Sequence, residues 1–206
     1  MTGSKAAPLG WLGIFLAVLI WSGINPADYP IWFLEVFPAV LGAGVLWVTR
    51  TSFPLTTLTY VLILIHCVIL MVGGHYTYAE VPLGNWVRDA FDQTRNDYDK
   101  LGHFAQGFVP AIIAREIAVR KKIFNDARWR NFFIVCFCLG FSAFFEMFEW
   151  WVALVSEEAA ESFLSFQGYV WDTQADMLWA LCGAIVALVL LSGWHDRQMS
   201  SRGFGE

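Results

Sequence analysis

Seven ionisable residues sit at the ends of, or inside, strongly apolar stretches. Asp99 and His103 lie four residues apart in "NDYDKLGHFAQGF". Glu146 and Glu149 lie three apart in "FFEMFEWW". Asp172 and Asp176 lie four apart in "WDTQADMLW", and His75 closes "VGGHY". Spacings of three and four put each pair on one face if the segment is helical. Imidazoles with carboxylates can ligate Zn²⁺, Mn²⁺ or iron, whereas carboxylates with water suit Mg²⁺ or Ca²⁺. A bound ion of this kind activates water, and a neighbouring carboxylate serves as ligand or general base. The set therefore reads as Glu146 and Glu149 in the catalytic role, with His75, Asp99, His103, Asp172 and Asp176 around a divalent metal ion.

The elements that must carry these residues are membrane helices. The 206 residues are 57% hydrophobic and only 15% charged, with mean hydropathy +0.53. The apolar residues fall into six blocks, at about 9–24, 31–48, 55–72, 101–119, 132–155 and 173–192. Each is near the length a helix needs to cross a hydrocarbon core of about 30 Å. In lipid every backbone polar group must be satisfied internally, so the blocks are predicted to be helices. The fold class is all-α: a polytopic membrane bundle of six transmembrane helices, forming a single integral membrane domain over 1–206. The first block, preceded by Lys5, has no small-x-small site after it and is expected to be an uncleaved span.

Charge distribution orients the bundle. With both termini cytoplasmic, ten of the thirteen basic residues fall inside, including Arg120, Lys121, Lys122, Arg128 and Arg130 of the loop before the fifth span; only Arg88, Arg95 and Lys100 fall outside. The positive-inside bias selects this arrangement. Fourteen of the eighteen acids then lie outside or in the outer half, a field that draws cations to that face. At 1.5 Å per residue from Val155, Glu149 lies about 9 Å deep and Glu146 about 13 Å. A charge at such a depth costs at least about 2.5–3.5 kcal/mol on insertion scales, so protonation, ion pairing or a bound cation must offset it. The residues are expected to converge in a pocket near the outer surface, with His75 at its rim and Lys100 turned away to the interface.

Other features have plainer readings. His66, mid-span, is either hydrogen-bonded to a neighbouring helix or a proton relay. Glu35 either joins the acidic set or faces the interface. Arg115 and Glu116, near the inner end of their span, are expected to snorkel. Most tryptophans sit near span borders, as an aromatic belt does. The four cysteines have no CxxC spacing and read as small apolar packing residues. Two outer loops, 85–94 and 156–171, have the pattern of short amphipathic helices on the outer leaflet, which either cover the acids or simply pack on the surface. No phosphate-binding glycine loop, nucleophile elbow, HExxH or nucleic-acid motif is present, and nucleic acid is not an expected partner. Membrane lipids are, as is a lipid or envelope substrate.

The blocks "VGGHYTYAEVPLGNW", "YDKLGHFAQGFVPAIIAREI", "FFEMFEWW" and "GYVWDTQADMLWAL" resemble the YjdF family of bacterial inner-membrane proteins, a domain of unknown function. The resemblance implies an inner-membrane location. A fainter similarity is to VanZ-like membrane proteins, which are linked to glycopeptide-antibiotic resistance. Their D-K-x-x-H-F, intramembrane acid and D-x-x-x-N pattern is similar to Asp99, Lys100, His103, Glu146 and Asp172. Asp176 stands where that pattern has Asn, and Glu149 where it tends to have Gln. This implies an outward-facing site. Two functions remain open: a metal-dependent hydrolase at the outer leaflet, or a small transporter handling a cation or proton. The apolar inner halves "NFFIVCFCLGF" and "LCGAIVALVLL" favour the first.

Overall fold

The computed structural model describes residues 6–155 and 167–204. Among them seven α-helices and one 3₁₀ turn occur, and no strand: α1 (Ala6–Ser22), α2 (Tyr29–Thr49), α3 (Thr57–Tyr76), the turn Tyr78–Glu80, α4 (Pro82–Ala90), α5 (Tyr98–Arg120), α6 (Ala127–Val155) and α7 (Asp172–Ser201). Four of these, α2, α3, α6 and α7, are long and apolar enough to cross a membrane. The helix α1 is shorter, and α5 carries more charge than such a span ordinarily does. Every predicted apolar block is helical, and most helices run beyond their block by a few polar residues at one or both ends.

Side-chain caps set several starts. Asp28 accepts the amide hydrogen of Ile31 at 2.8 Å and Pro30 occupies the first turn of α2, where its missing N–H costs nothing. Thr56 caps α3 through the amide of Thr59. Asp126 receives the amides of Arg128 and Trp129 before α6. Hydrogen bonds from the Arg128 side chain and amide hold the Asp126 carboxyl below its usual range. The short α4 matches the amphipathic segment read at 85–94, with Leu83, Trp86 and Phe91 exposed. Most of the second such segment, 156–171, lies outside the described residues.

The centre of the bundle is α5, most of whose residues are buried although it is the most charged helix. It packs chiefly along α7, with α3 and α6 on its other sides. The two helices run parallel: Lys100 meets Asp172 and Asp176 at one end, and Arg115 meets His195 and Asp196 at the other. Small residues allow the approach. A Cβ at Gly107 would stand 1.8 Å from the carbonyl oxygen of Ala180, and one at Gly183 would stand 2.1 Å from that of Phe104. Ala180, Ala184 and Ala187 continue the stripe on α7. Close backbone packing of this kind is what holds helices together where lipid removes the hydrophobic drive between them. Its consequence is register: the first turns of α5 and α7 are locked at one level.

The other helices alternate in direction around this pair. The starts of α2, α5 and α7 meet the ends of α3 and α6 at one end of the bundle. At the opposite end Trp11 of α1 donates to the carbonyl of Tyr60, and Arg202, just past α7, bonds the carbonyl of Leu55. The beginning of α1 and the end of α7 therefore emerge together, away from the acidic residues.

Candidate functional site

The entrance to α5 is rigidly built. Asn96, fully buried, accepts the amide of Tyr98 and donates to Val81 and Asn85. Gln167 bonds the Asn96 backbone in both directions. From this anchored turn Asp99, Lys100 and His103 all project into the bundle, and each is buried.

His103 is the pivot. Its Nε2 lies 3.5 Å from Asp99 Oδ1 and 3.6 Å from Glu146 Oε1. Its Nδ1 pairs with the amide oxygen of Gln106 at 3.1 Å, one turn on. With an amide oxygen as its partner, Nδ1 carries the proton. Nε2 then faces two carboxylates, an arrangement made favourable either by a proton on Nε2 itself or by a cation between them. Asp176 completes the set: one ligand atom each from Asp99, His103 and Asp176 lie within 4.8 Å of one another. Atoms bound to one ion at about 2.1 Å lie no more than about 4.2 Å apart, so small side-chain rotations close the site. Glu146 Oε1 is buried with no hydrogen-bond partner among the described residues.

Lys100 corrects an expectation. It does not turn to the interface; its Nζ bonds Asp172 at 2.6 Å and Asp176 at 2.7 Å. Adjacent residues diverge by about 100°, but Asp99 and Lys100 both point inward because α7 packs on one flank of α5 and α6 on another. Arg95 also bonds Asp172, at 2.8 Å. Asp172 is thus held by two cations, and its part is to position Lys100 and, through it, Asp176.

His75 is not brought to this group. Its Nδ1 meets the carbonyl of Ser22 at 3.0 Å, and its ring packs against Trp21 and Tyr76. It joins α3 to α1. Glu35, by contrast, is buried and turns into the bundle. With Glu149, Asp99 and His103 it lines a cavity of about 230 Å³ between α2, α3, α5 and α6. His66 reaches the same cavity from α3 and has no hydrogen-bond partner among the described residues, so the neighbouring-helix bond expected for it is not made. Both helix prolines on the wall, Pro38 and Pro110, interrupt their helices beside it. Glu146 and Glu149 therefore divide: the first beside His103 toward α7, the second in the cavity.

A second polar cluster occupies the opposite end and escaped the sequence reading. Glu116 is fully buried and does not snorkel. It receives the hydroxyls of Thr56 and Thr59, the Thr56 amide, Arg120 and His195. Arg115 bonds Asp196 at 2.7 Å and approaches His195 Nδ1 at 3.2 Å. The guanidinium can only donate, so Nδ1 accepts and Nε2 gives its proton to Glu116. Apart from the Arg115 Nε, which has no partner among the described residues, the polar atoms of the cluster are bonded to one another, which marks it as a clamp joining α3, α5 and α7.

Comparison with known proteins fits this architecture. The family model described as "Predicted membrane protein (DUF2238)" matches residues 7–197. The chain belongs to that family. It is also similar to the inner membrane protein YjdF of Escherichia coli (strain K12), with 46% identity over 188 residues, covering 91% of this chain and 89% of the relative. No solved structure matches the chain. Family, relative and apolar helices together make this a multi-pass protein of the bacterial inner membrane.

Proposed function

We propose that the protein is a membrane-embedded, metal-dependent hydrolase acting on a lipid or envelope substrate from the outer leaflet. In this reading α1, α2, α3, α5, α6 and α7 all span the membrane, both termini are cytoplasmic, and the Asp99–His103 end faces outward. The alternation of helix direction supports an even number of crossings. The basic residues at the far end, among them Arg120, Lys121, Lys122 and Arg128, support the orientation.

The observation that carries the metal is the placement of His103 Nε2, 3.5 Å and 3.6 Å from two buried carboxylate oxygens. Asp99, His103 and Asp176 supply three ligands, leaving a position for water, as in catalytic sites. Gln106 gives the outer hydrogen bond that a ligating imidazole needs to fix its tautomer. Glu146, with its unpaired oxygen, takes the proton of the activated water. One nitrogen and two carboxylates favour Zn²⁺, Mn²⁺ or iron. Against a transporter stands the inner wall: below His66 the described residues lining the cavity are apolar, Ile63, Val109 and Ile113 among them.

The test is metal analysis of the purified protein, followed by incubation of the metal-loaded protein with a total bacterial lipid extract. About one divalent ion per chain is expected. His103→Gln and Asp176→Asn should fold yet lose the ion and any turnover of the extract. Wild-type protein that stays metal-free after exposure to Zn²⁺, Mn²⁺ and Fe²⁺ overturns the reading.

A further inference from the structure

The cavity between α2, α3, α5 and α6 has a property that the metal site does not explain. Glu35 and Glu149 both line it, from helices on opposite sides, and both are more than nine-tenths buried. Glu149 makes no hydrogen bond or ion pair among the described residues, and the polar neighbour of Glu35 is Tyr78. Among the described residues no lysine or arginine lines the wall. Lys100, the nearest such cation in sequence, is committed to Asp172 and Asp176. The acids lie toward one end. Counted along their helices from the outer ends, Asp99, His103, Glu35 and Glu149 lie within about 10 Å of that level and His66 about 15 Å down, whereas Ile63, Ile113, Phe141 and Gly42 lie about 20 Å down. Phe141 lines the cavity and is 44% exposed on the outside of the bundle, so the wall there borders lipid.

We propose that this cavity binds an amphiphile with an amine head group, the ammonium held between Glu35 and Glu149 and the chain on the apolar floor. The proposal takes the metal-site reading for its purpose, since the same cavity presents the bound head to Asp99 and His103. Each competing occupant fails on chemistry. An anionic head meets two carboxylates. A purely apolar guest leaves Glu149 buried without a partner and Glu35 with Tyr78 alone, which is costly. A hard metal ion wants six or more oxygen ligands, and the floor is hydrocarbon. An ammonium donates to both acids. The aromatic rings of Tyr78 and Phe145 also line the wall. Pro110 leaves the carbonyl of Gln106 without its helical donor, one more acceptor beside the same space.

Full-length protein in detergent, with its metal content measured, would be challenged with decylamine, decanol and decanoate below their micellar concentrations. Thermal unfolding would be followed. Decylamine should raise the Tm saturably and the other two should not. The double variant Glu35→Gln with Glu149→Gln should weaken the decylamine response at least tenfold while keeping the wild-type metal content. Cys67 also lines the cavity, so decylamine, and not decanol, should slow its labelling by a small methanethiosulfonate in wild-type protein, read at Cys67 by peptide mass spectrometry because Cys136 is exposed and reacts as well. Equal responses to decanol and decylamine, or an undiminished response in the double variant, overturn the proposal. A saturable decylamine response in metal-free protein upholds the pocket and removes the metal reading. A metal-loaded protein without that response does the reverse.

Discussion

The ammonium of Lys100 lies 2.7 Å from Oδ1 of Asp176, across the interface between α5 and α7 and inside the bundle. The same ammonium bonds Asp172. One cation therefore fixes two acids on α7 and leaves the third acid nearby, Asp99, facing His103. The pair does not neutralise the site. It organises the site, and leaves Asp99 and Glu146 to His103.

Removing that ammonium should be severe. Breaking one side of a buried ion pair typically costs about 3–5 kcal/mol, because the partner stays buried and charged. Lys100→Met is expected to lower stability by that order in detergent unfolding. Adding Asp176→Asn should return part of the loss, since it removes the stranded charge. A single variant as stable as wild type would show that the pair is solvated and marginal.

The glycine contact between α5 and α7 gives a second expectation. Gly107→Ala puts a Cβ against the Ala180 backbone, where no side chain can yield. Overpacking of this kind costs about 1–3 kcal/mol. Separating the helices at this level also pulls Asp176 from His103, so bound metal should fall with stability. Gly13→Ala, where the new Cβ meets nothing within 4 Å, is the control and should change neither.

Much of this arrangement was legible in the sequence, for identifiable reasons. Apolar block length gave six helices because lipid permits little else. Depth along alternating helices brought Asp99, His103, Glu146, Glu149 and Asp176 to one end. Facing was harder. Lys100, Arg115 and Glu116 were expected at the interface on the rule that charge seeks water. The rule failed because α5 is largely enclosed by α3, α6 and α7, and the positions it leaves outward, Leu101 and Ile117, are taken by apolar residues. The available signal was the set of small residues on two faces of the helix, Gly102 and Ala105 on one and Gly107, Ala111 and Ala118 on the other, which marks a helix packed closely on more than one side. His75 misled in the opposite way: its level is right, but its ring turns to α1.

The orientation can be read directly by labelling. In a background lacking the four native cysteines, Asp92→Cys, in the exposed turn after α4, should react with an impermeant maleimide added to intact cells. Asn125→Cys, in the loop between α5 and α6, should react only after the membrane is opened. The reverse pattern would place the acidic end in the cytoplasm and remove the outer leaflet as the source of substrate.

The clamp at the other end separates stability from function. Glu116 takes hydrogen bonds from Thr56, Thr59, Arg120 and His195. Glu116→Ala strands those donors and leaves the Arg115–His195 contact without its anchor. Unsatisfied buried donors and an uncompensated guanidinium together should cost at least about 3 kcal/mol. Glu116→Gln keeps the volume and one acceptor oxygen, so its loss should be smaller, although the amide group cannot accept from both sides. The clamp lies at the opposite end of α5 from His103, about 20 Å along the helix at 1.5 Å per residue. The two glutamate variants should therefore bind as much metal per folded chain as wild type while unfolding at lower temperature. Measuring metal stoichiometry on the folded fraction, beside the unfolding curve, separates the two ends. A Glu116→Gln protein that folds normally but loses its metal would mean that the ends are coupled through α5, and that Glu116 belongs to the functional machinery rather than to the scaffold.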